Sequence, residues 1–163
     1  MDADEWLKKG IELDNLHKFN EAIDCYDKAL KINPLLAEAW YSKGNVLVNL
    51  GNLQDAIACF DKALEIDPEL AEAWNYKGLT LASIGKLQEA VVCFEKALEI
   101  NPKLLESLVG KGFALNGLGK PEEAIDAFQS FIKYASPEQE WLVTNIKGFI
   151  KKIKAELNKK NGF

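Results

Sequence analysis

The chain has 163 residues, 20 basic and 25 acidic side chains, a net charge of -5 and 48% hydrophobic residues. This is the length of one ordinary domain with enough apolar material to fold, so intrinsic disorder is excluded. The acidic balance excludes a general nucleic-acid binder, which needs a basic face, and every basic residue is a lysine, so the bidentate arginine contact to guanine or phosphate is missing as well.

In chain order, Asp2 with Glu5 three residues later gives a capping-box pattern at the start of a first helix. His17, the only histidine, falls in the turn after that helix. Ala37 to Leu50 reads as a helix apolar on two sides, through Trp40, Tyr41, Val46, Leu47, Val48 and Leu50. Gly51-Asn52 ends it, as a glycine just past a helix does. Leu53 to Ile66 carries one apolar stripe of Ile57, Phe60, Ala63, Leu64 and Ile66. Asp67-Pro68 stops that helix, because proline disfavours helix in the residue before it. The same helix-turn-helix pattern then repeats, and no segment alternates with the period of a strand.

Cys25, Cys59 and Cys93 are spaced by 34 and 34 residues. So are Trp6, Trp40 and Trp74, and Pro34, Pro68 and Pro102. Gly10, Gly44, Gly78 and Gly112 make four in register, as do Ala22, Ala56, Ala90 and Ala124. Residues 37–70 and 71–104 agree at 20 of 34 positions. A single hairpin cannot bury both faces of its helices, so the units must stack on one another. Trp40, Gly44, Leu47, Ala56, Phe60, Ala63 and Pro68 resemble the tetratricopeptide repeat, as do Trp74, Gly78, Leu81, Ala90, Phe94, Ala97 and Pro102, and Trp6, Gly10, Leu13, Ala22, Tyr26, Ala29 and Pro34. The resemblance implies an all-α, right-handed superhelical solenoid of antiparallel helix hairpins.

The expected organisation is four repeats over residues 3–138, at 3–36, 37–70, 71–104 and 105–138. A C-terminal solvating helix and short tail occupy 139–163. The fourth unit departs from the pattern: Leu108 stands for tryptophan, Phe131 for alanine, and Ser136-Pro137 shifts the proline by one. Phe131 fills the space where another repeat would dock, as a terminal unit covered by a different element should. Residues 138–160 read as that covering helix, with a stripe of Trp141, Leu142, Asn145, Ile146, Phe149, Ile150, Ile153 and Leu157. Lys147, Lys151, Lys152 and Lys154 lie mostly off it. The charge divides accordingly: residues 1–138 hold 14 lysines and 23 acids, net -9, and residues 139–163 hold 6 lysines and 2 acids, net +4.

Catalytic and metal chemistry find no constellation. Equivalent cysteines in stacked repeats stand roughly 10 Å apart, too far for a disulfide or a shared zinc, so they read as small buried thiols. His17 has no second histidine or spaced acid to complete a triad or metal site. Gly110-Lys111-Gly112 and Gly117-Leu118-Gly119-Lys120 lack the phosphate-loop pattern and its preceding strand. Gly110 and Gly117 lie outside the repeat columns, and the expectation is that they open space on the inner face. Catalytic residues, metals and cofactors are therefore expected to be none, and the chain is expected not to be an enzyme. No apolar run approaches the ~20 residues that span a bilayer. The acidic start Met1-Asp2-Ala3-Asp4-Glu5 does not fit a signal peptide. A cytoplasmic protein contacting neither membrane nor nucleic acid is expected.

In tetratricopeptide folds the first helix of each hairpin lines a concave surface. Carried over, those columns hold Leu7, Lys8 and Ile11, then Tyr41, Ser42, Asn45 and Asn49, then Asn75, Tyr76, Leu79 and Ser83, then Val109 and Phe113. The groove set for peptide binding is Tyr41, Asn45, Asn49, Asn75, Tyr76, Leu79, Val109 and Phe113. Its amides can bond a peptide backbone and its rings supply contact area. An acidic edge of Asp4, Glu38, Glu72 and Glu106 borders it. The carboxylate clamp of chaperone-binding relatives is missing. Leu7 and Ile11 stand where it has lysine and asparagine, Ser42 where it has asparagine, and Glu72 and Tyr76 where it has a basic pair. The expected function is a non-catalytic scaffold or adaptor that binds a neutral or basic peptide segment of another protein. The alternative is a weak homo-oligomer assembled through the capping helix or the repeat ends.

Overall fold

The computed structural model describes residues 1–160 and Gly162. The rest of the expected short tail lies outside the described residues, as does the side chain of Lys160. Nine α-helices and one short 3-10 turn make up the described residues, with no strand among them. They are α1 (Ala3–Asn15), α2 (Phe19–Ile32), α3 (Ala37–Asn49), α4 (Leu53–Ile66), α5 (Ala71–Ser83), α6 (Leu87–Ile100), α7 (Leu105–Gly117), α8 (Pro121–Tyr134), the turn Pro137–Gln139, and α9 (Glu140–Lys160).

Local chemistry sets these bounds. Asp2 Oδ1 accepts from the Glu5 backbone N–H at 2.8 Å, and the Glu5 carboxylate accepts from the Asp2 N–H at 2.9 Å. That reciprocal cap satisfies two donors a helix start leaves open. Gly51, Gly85 and Gly119 end α3, α5 and α7 at φ of 78°, 81° and 74°. There the next N–H turns back to a helix carbonyl, as Asn52 N–H does to Leu47 O at 2.8 Å. Asn33, Asp67 and Asn101 close the even-numbered helices through α6. Each side-chain oxygen accepts from the N–H two residues on, at 3.1, 3.0 and 3.2 Å.

Within each hairpin a glycine faces an aromatic ring. A Cβ on Gly10, Gly44, Gly78 or Gly112 would stand 2.5, 2.6, 2.9 or 2.5 Å from the ring of Tyr26, Phe60, Phe94 or Phe128. These four rings are fully buried. Between hairpins, Ala29, Ala63 and Ala97 are buried and keep the contact thin. Trp40 Nε1–H donates to Pro34 O at 3.0 Å, and Trp74 Nε1–H to Pro68 O at 2.9 Å, which ties two repeat columns together. Ion pairs Lys43–Asp27, Lys77–Asp61 and Lys111–Glu95 recur at the same junctions, at 2.5, 2.5 and 2.9 Å.

Successive odd-numbered helices α1, α3, α5 and α7 touch one another, whereas α2, α4, α6 and α8 do not. The stack is therefore tighter on the odd side, and the odd helices line its inner face. At the far end Phe131 is buried in one cluster with Val143, Ile146, Ile150 and Ile153 of α9. The inward stripe of α9 differs from the sequence expectation at its start. Trp141 is 68% exposed and Asn145 is exposed, whereas Val143 is buried. The 3-10 turn sets where α9 begins, and with Val143, Ile146, Ile150 and Ile153 inward, positions 141 and 145 fall on the opposite side. Lys147, Lys151, Lys152 and Lys154 are all exposed.

Candidate functional site

The inner face has two halves. On the N-terminal half Leu7 is buried, Ile11 half-buried and Lys8 exposed. Tyr41 is half-buried, with its ring edge-on to Tyr76 at 5.8 Å between centres. Burial pushes the Tyr41 phenol above its usual value, so it stays a neutral donor. Ser42 is buried, Asn45 half-buried and Asn49 exposed. The Asn45 side-chain oxygen is buried without a hydrogen-bond partner among the described residues.

On the C-terminal half Tyr76, Leu79 and Phe113 are 39, 39 and 48% exposed, an apolar strip on adjacent helices. Val109 is half-buried and Ser83 exposed. Phe113 is held by ring contacts to Phe128 and Phe149 at 5.1 and 5.2 Å. Asn75 departs from its expected part as a peptide-binding amide. It is 3% exposed, and its Oδ1 accepts from Ser107 Oγ at 2.7 Å. That buried bond joins α5 to α7 and takes up the acceptor.

Leu79, Val109 and Phe113 converge on a pocket of about 540 Å³. Ala82 of α5, Gly110 of α7 and Leu142 of α9 complete its walls. The extra glycines bear on this region. A Cβ on Gly110 would meet the Phe94 ring at 2.6 Å, and one on Gly117 would meet Leu87 Cδ1 at 2.7 Å. Phe94, Leu87 and Gly110 all line the pocket. Sequence reasoning placed four of the wall residues at the groove, Leu79, Val109, Phe113 and Glu106, and missed Ala82 and Leu142 among others. A wall supplied by α9 has no counterpart in the repeat columns.

Asp4, Glu38, Glu72 and Glu106 are all exposed. Among the described residues none of the four has an ion-pair partner. Glu106 lies on the pocket lining.

The cysteines are free and buried. Burial pushes the Cys59 and Cys93 thiols up to about 11, which keeps them protonated and poorly nucleophilic at neutral pH. Among the described residues no group of three or more histidine, cysteine or acidic side chains is placed to hold a metal. No described helix is long and apolar enough to cross a membrane.

Family models described as tetratricopeptide repeat match residues 3–34, 37–70 and 71–104, and a second such model matches 106–136. No curated protein matches by sequence. Among solved structures, a crystal structure of MamA protein is 25% identical with a TM-score of 0.76, covering 85% of this chain and 74% of that one. MamA 41-end from Desulfovibrio magneticus RS-1 is 24% identical with a TM-score of 0.75, covering 82% and 75%. The first TPR of Spaghetti (RPAP3), bound to HSP90 peptide SRMEEVD, is 23% identical with a TM-score of 0.71, covering 72% and 94%. Likeness at this identity carries the all-helical solenoid fold.

Proposed function

The chain belongs to the tetratricopeptide repeat family, and from that premise we propose that it is a non-catalytic scaffold or adaptor holding a neutral or basic peptide in its inner groove. The observation that carries this reading is the pairing of an exposed apolar strip with unpaired acids. Tyr76, Leu79 and Phe113 offer contact area to a ligand. Glu38, Glu72 and Glu106 select its charge. Asn49, which is exposed, adds hydrogen-bonding capacity at the other end of the groove.

The acidic HSP90 peptide held by the RPAP3 domain is the wrong sign for this groove. Leu7 and Ile11 carry no charge to receive a carboxylate, and Glu72 would repel one. Panning the full chain against a random-peptide display library tests the reading. Neutral or basic sequences are expected to be enriched, with affinity at least tenfold weaker for the Tyr76→Ala/Phe113→Ala variant at an unchanged circular-dichroism spectrum. Enrichment of acidic sequences, or full binding by the variant, overturns it.

Self-association is the second reading, favoured by the exposure of Trp141 beside the exposed lysines of α9. Light scattering on the full chain at rising concentration tests it, and a constant monomer mass removes it.

A further inference from the structure

The pocket between α5, α7 and α9 lies where the repeat departs from its own pattern. One column holds Ser42 in α3, Tyr76 in α5 and Gly110 in α7. Tyr76 reaches across to α3 and meets the Tyr41 ring. Gly110 has no side chain to reach α5, and the Phe94 ring occupies the place of its Cβ. The opening left is about 540 Å³, within the range of pockets that enclose a ligand group. Leu79, Val109, Phe113 and Leu142 make its walls largely apolar, and among the described residues Glu106 is the only ionisable one on the lining.

Building on peptide binding in the groove, we propose that this pocket is the anchor subsite. It takes one bulky apolar side chain, tryptophan or phenylalanine, from a partner peptide that carries lysine or arginine beside that residue. Three observations select this occupant. The pocket borders the column in which the preceding hairpin carries the Tyr76 ring, and a ring from outside would pack against Phe94 and Phe113 on its lining. Apart from Glu106 and the Gln139 amide, whose oxygen already accepts from the Ser136 N–H, the lining side chains offer no hydrogen-bonding partner, so a polar side chain would lose most of its water without replacement. Glu106 at the lining, with Glu72 one repeat away, attracts a cation next to the anchor and repels a fatty-acid carboxylate or an acidic peptide. An aromatic anchor would bury ~150–250 Å² on entering, and it would cover the exposed faces of Leu79 and Phe113 as it did so.

Three blocked peptides serve as probes on the full isotope-labelled chain: Ac-Ala-Lys-Trp-Lys-Ala-amide, its Lys-Ala-Lys analogue and its Glu-Trp-Glu analogue. Amide and methyl NMR shifts report where each binds. The Lys-Trp-Lys peptide is expected to shift Leu79, Val109, Phe113 and Leu142, and to bind at least tenfold more tightly than either analogue. Ala82→Phe, which fills the pocket, should weaken it at least tenfold. Leu79→Ser, at a position already part-exposed, should weaken it several-fold and tests the same point if the larger residue disturbs the fold. Glu106→Gln should weaken it about threefold and flatten its salt dependence. Equal binding of the Lys-Trp-Lys and Lys-Ala-Lys peptides overturns the anchor. So do shifts confined to Tyr41, Asn45 and Asn49, although groove binding itself then stands. Stronger shifts of the pocket methyls with dodecanoate would make the occupant a lipid chain, and closure of the pocket by a concentration-dependent dimer would make it a second copy. Either result replaces the peptide.

Discussion

The first three hairpins and the fourth present different surfaces to the next helix in the chain. Ala29, Ala63 and Ala97 are fully buried at the first three junctions. Trp40 and Trp74 each donate to the proline carbonyl of the unit before. These are interchangeable ends, and a chain built only of them could add units without limit. In the fourth hairpin the corresponding positions are Phe131 and Leu108. Phe131 is 1% exposed under α9, and Leu108 has no side-chain N–H to donate. The regular columns thus encode stacking. The departures from them encode the end of the stack and, at Gly110, an opening in its inner face.

The largest effect should come from closing that departure. Gly110→Ala puts a Cβ 2.6 Å from a fully buried ring. Overpacking of this kind costs about 1–3 kcal/mol. Tyr76→Ala, in the same column one repeat earlier, removes a part-exposed side chain and should cost less in urea unfolding. Equal losses would mean that the fourth hairpin is seated no differently from the third. A smaller effect tests the junctions. Trp74→Phe keeps an aromatic ring and removes one donor to Pro68 O, so it should cost about 1 kcal/mol. A cost near zero would reduce the tryptophan column to packing alone.

The helix bounds were legible because most are punctuated locally, by Gly-Asn or Gly-Lys after α3, α5 and α7 and by Asp-Pro or Asn-Pro after α2, α4 and α6. The stacking was legible from the period. The inner face was legible only in part. Leu79, Val109 and Phe113 follow from their columns. The fate of Asn75 was not legible, because Ser107, 32 residues later, takes its oxygen. Trp141 reads in the sequence as one end of a buried stripe, but it is exposed, and the packed stripe begins with Leu142 and Val143 instead. The pocket wall from α9 was hidden for the same reason: the seating of a helix outside the repeat is decided by packing that no periodicity records.

One irregularity lies among the regular hairpins and gives the smallest prediction. His17 occupies the column of Gly51, Gly85 and Gly119, at φ 58°. The local bonding is the same as at the glycines, with Lys18 N–H to Leu13 O at 2.9 Å and Lys86 N–H to Leu81 O at 2.9 Å. This left-handed conformation costs the backbone of a non-glycine residue roughly 1–2 kcal/mol. Against that, glycine loses more chain entropy on folding, by about 0.5–1 kcal/mol, and the edge-to-face contact of His17 with Phe19 at 5.7 Å would go. The backbone term is the larger, so His17→Gly should stabilise the chain by about 0.5 kcal/mol in urea unfolding, and the reciprocal Gly51→His should destabilise it by a similar amount. If His17→Gly lowers stability while Gly51→His also lowers it, the ring contact outweighs the backbone cost. The first hairpin would then be a specialised end like the fourth, and the regular region would shrink to the two hairpins between them.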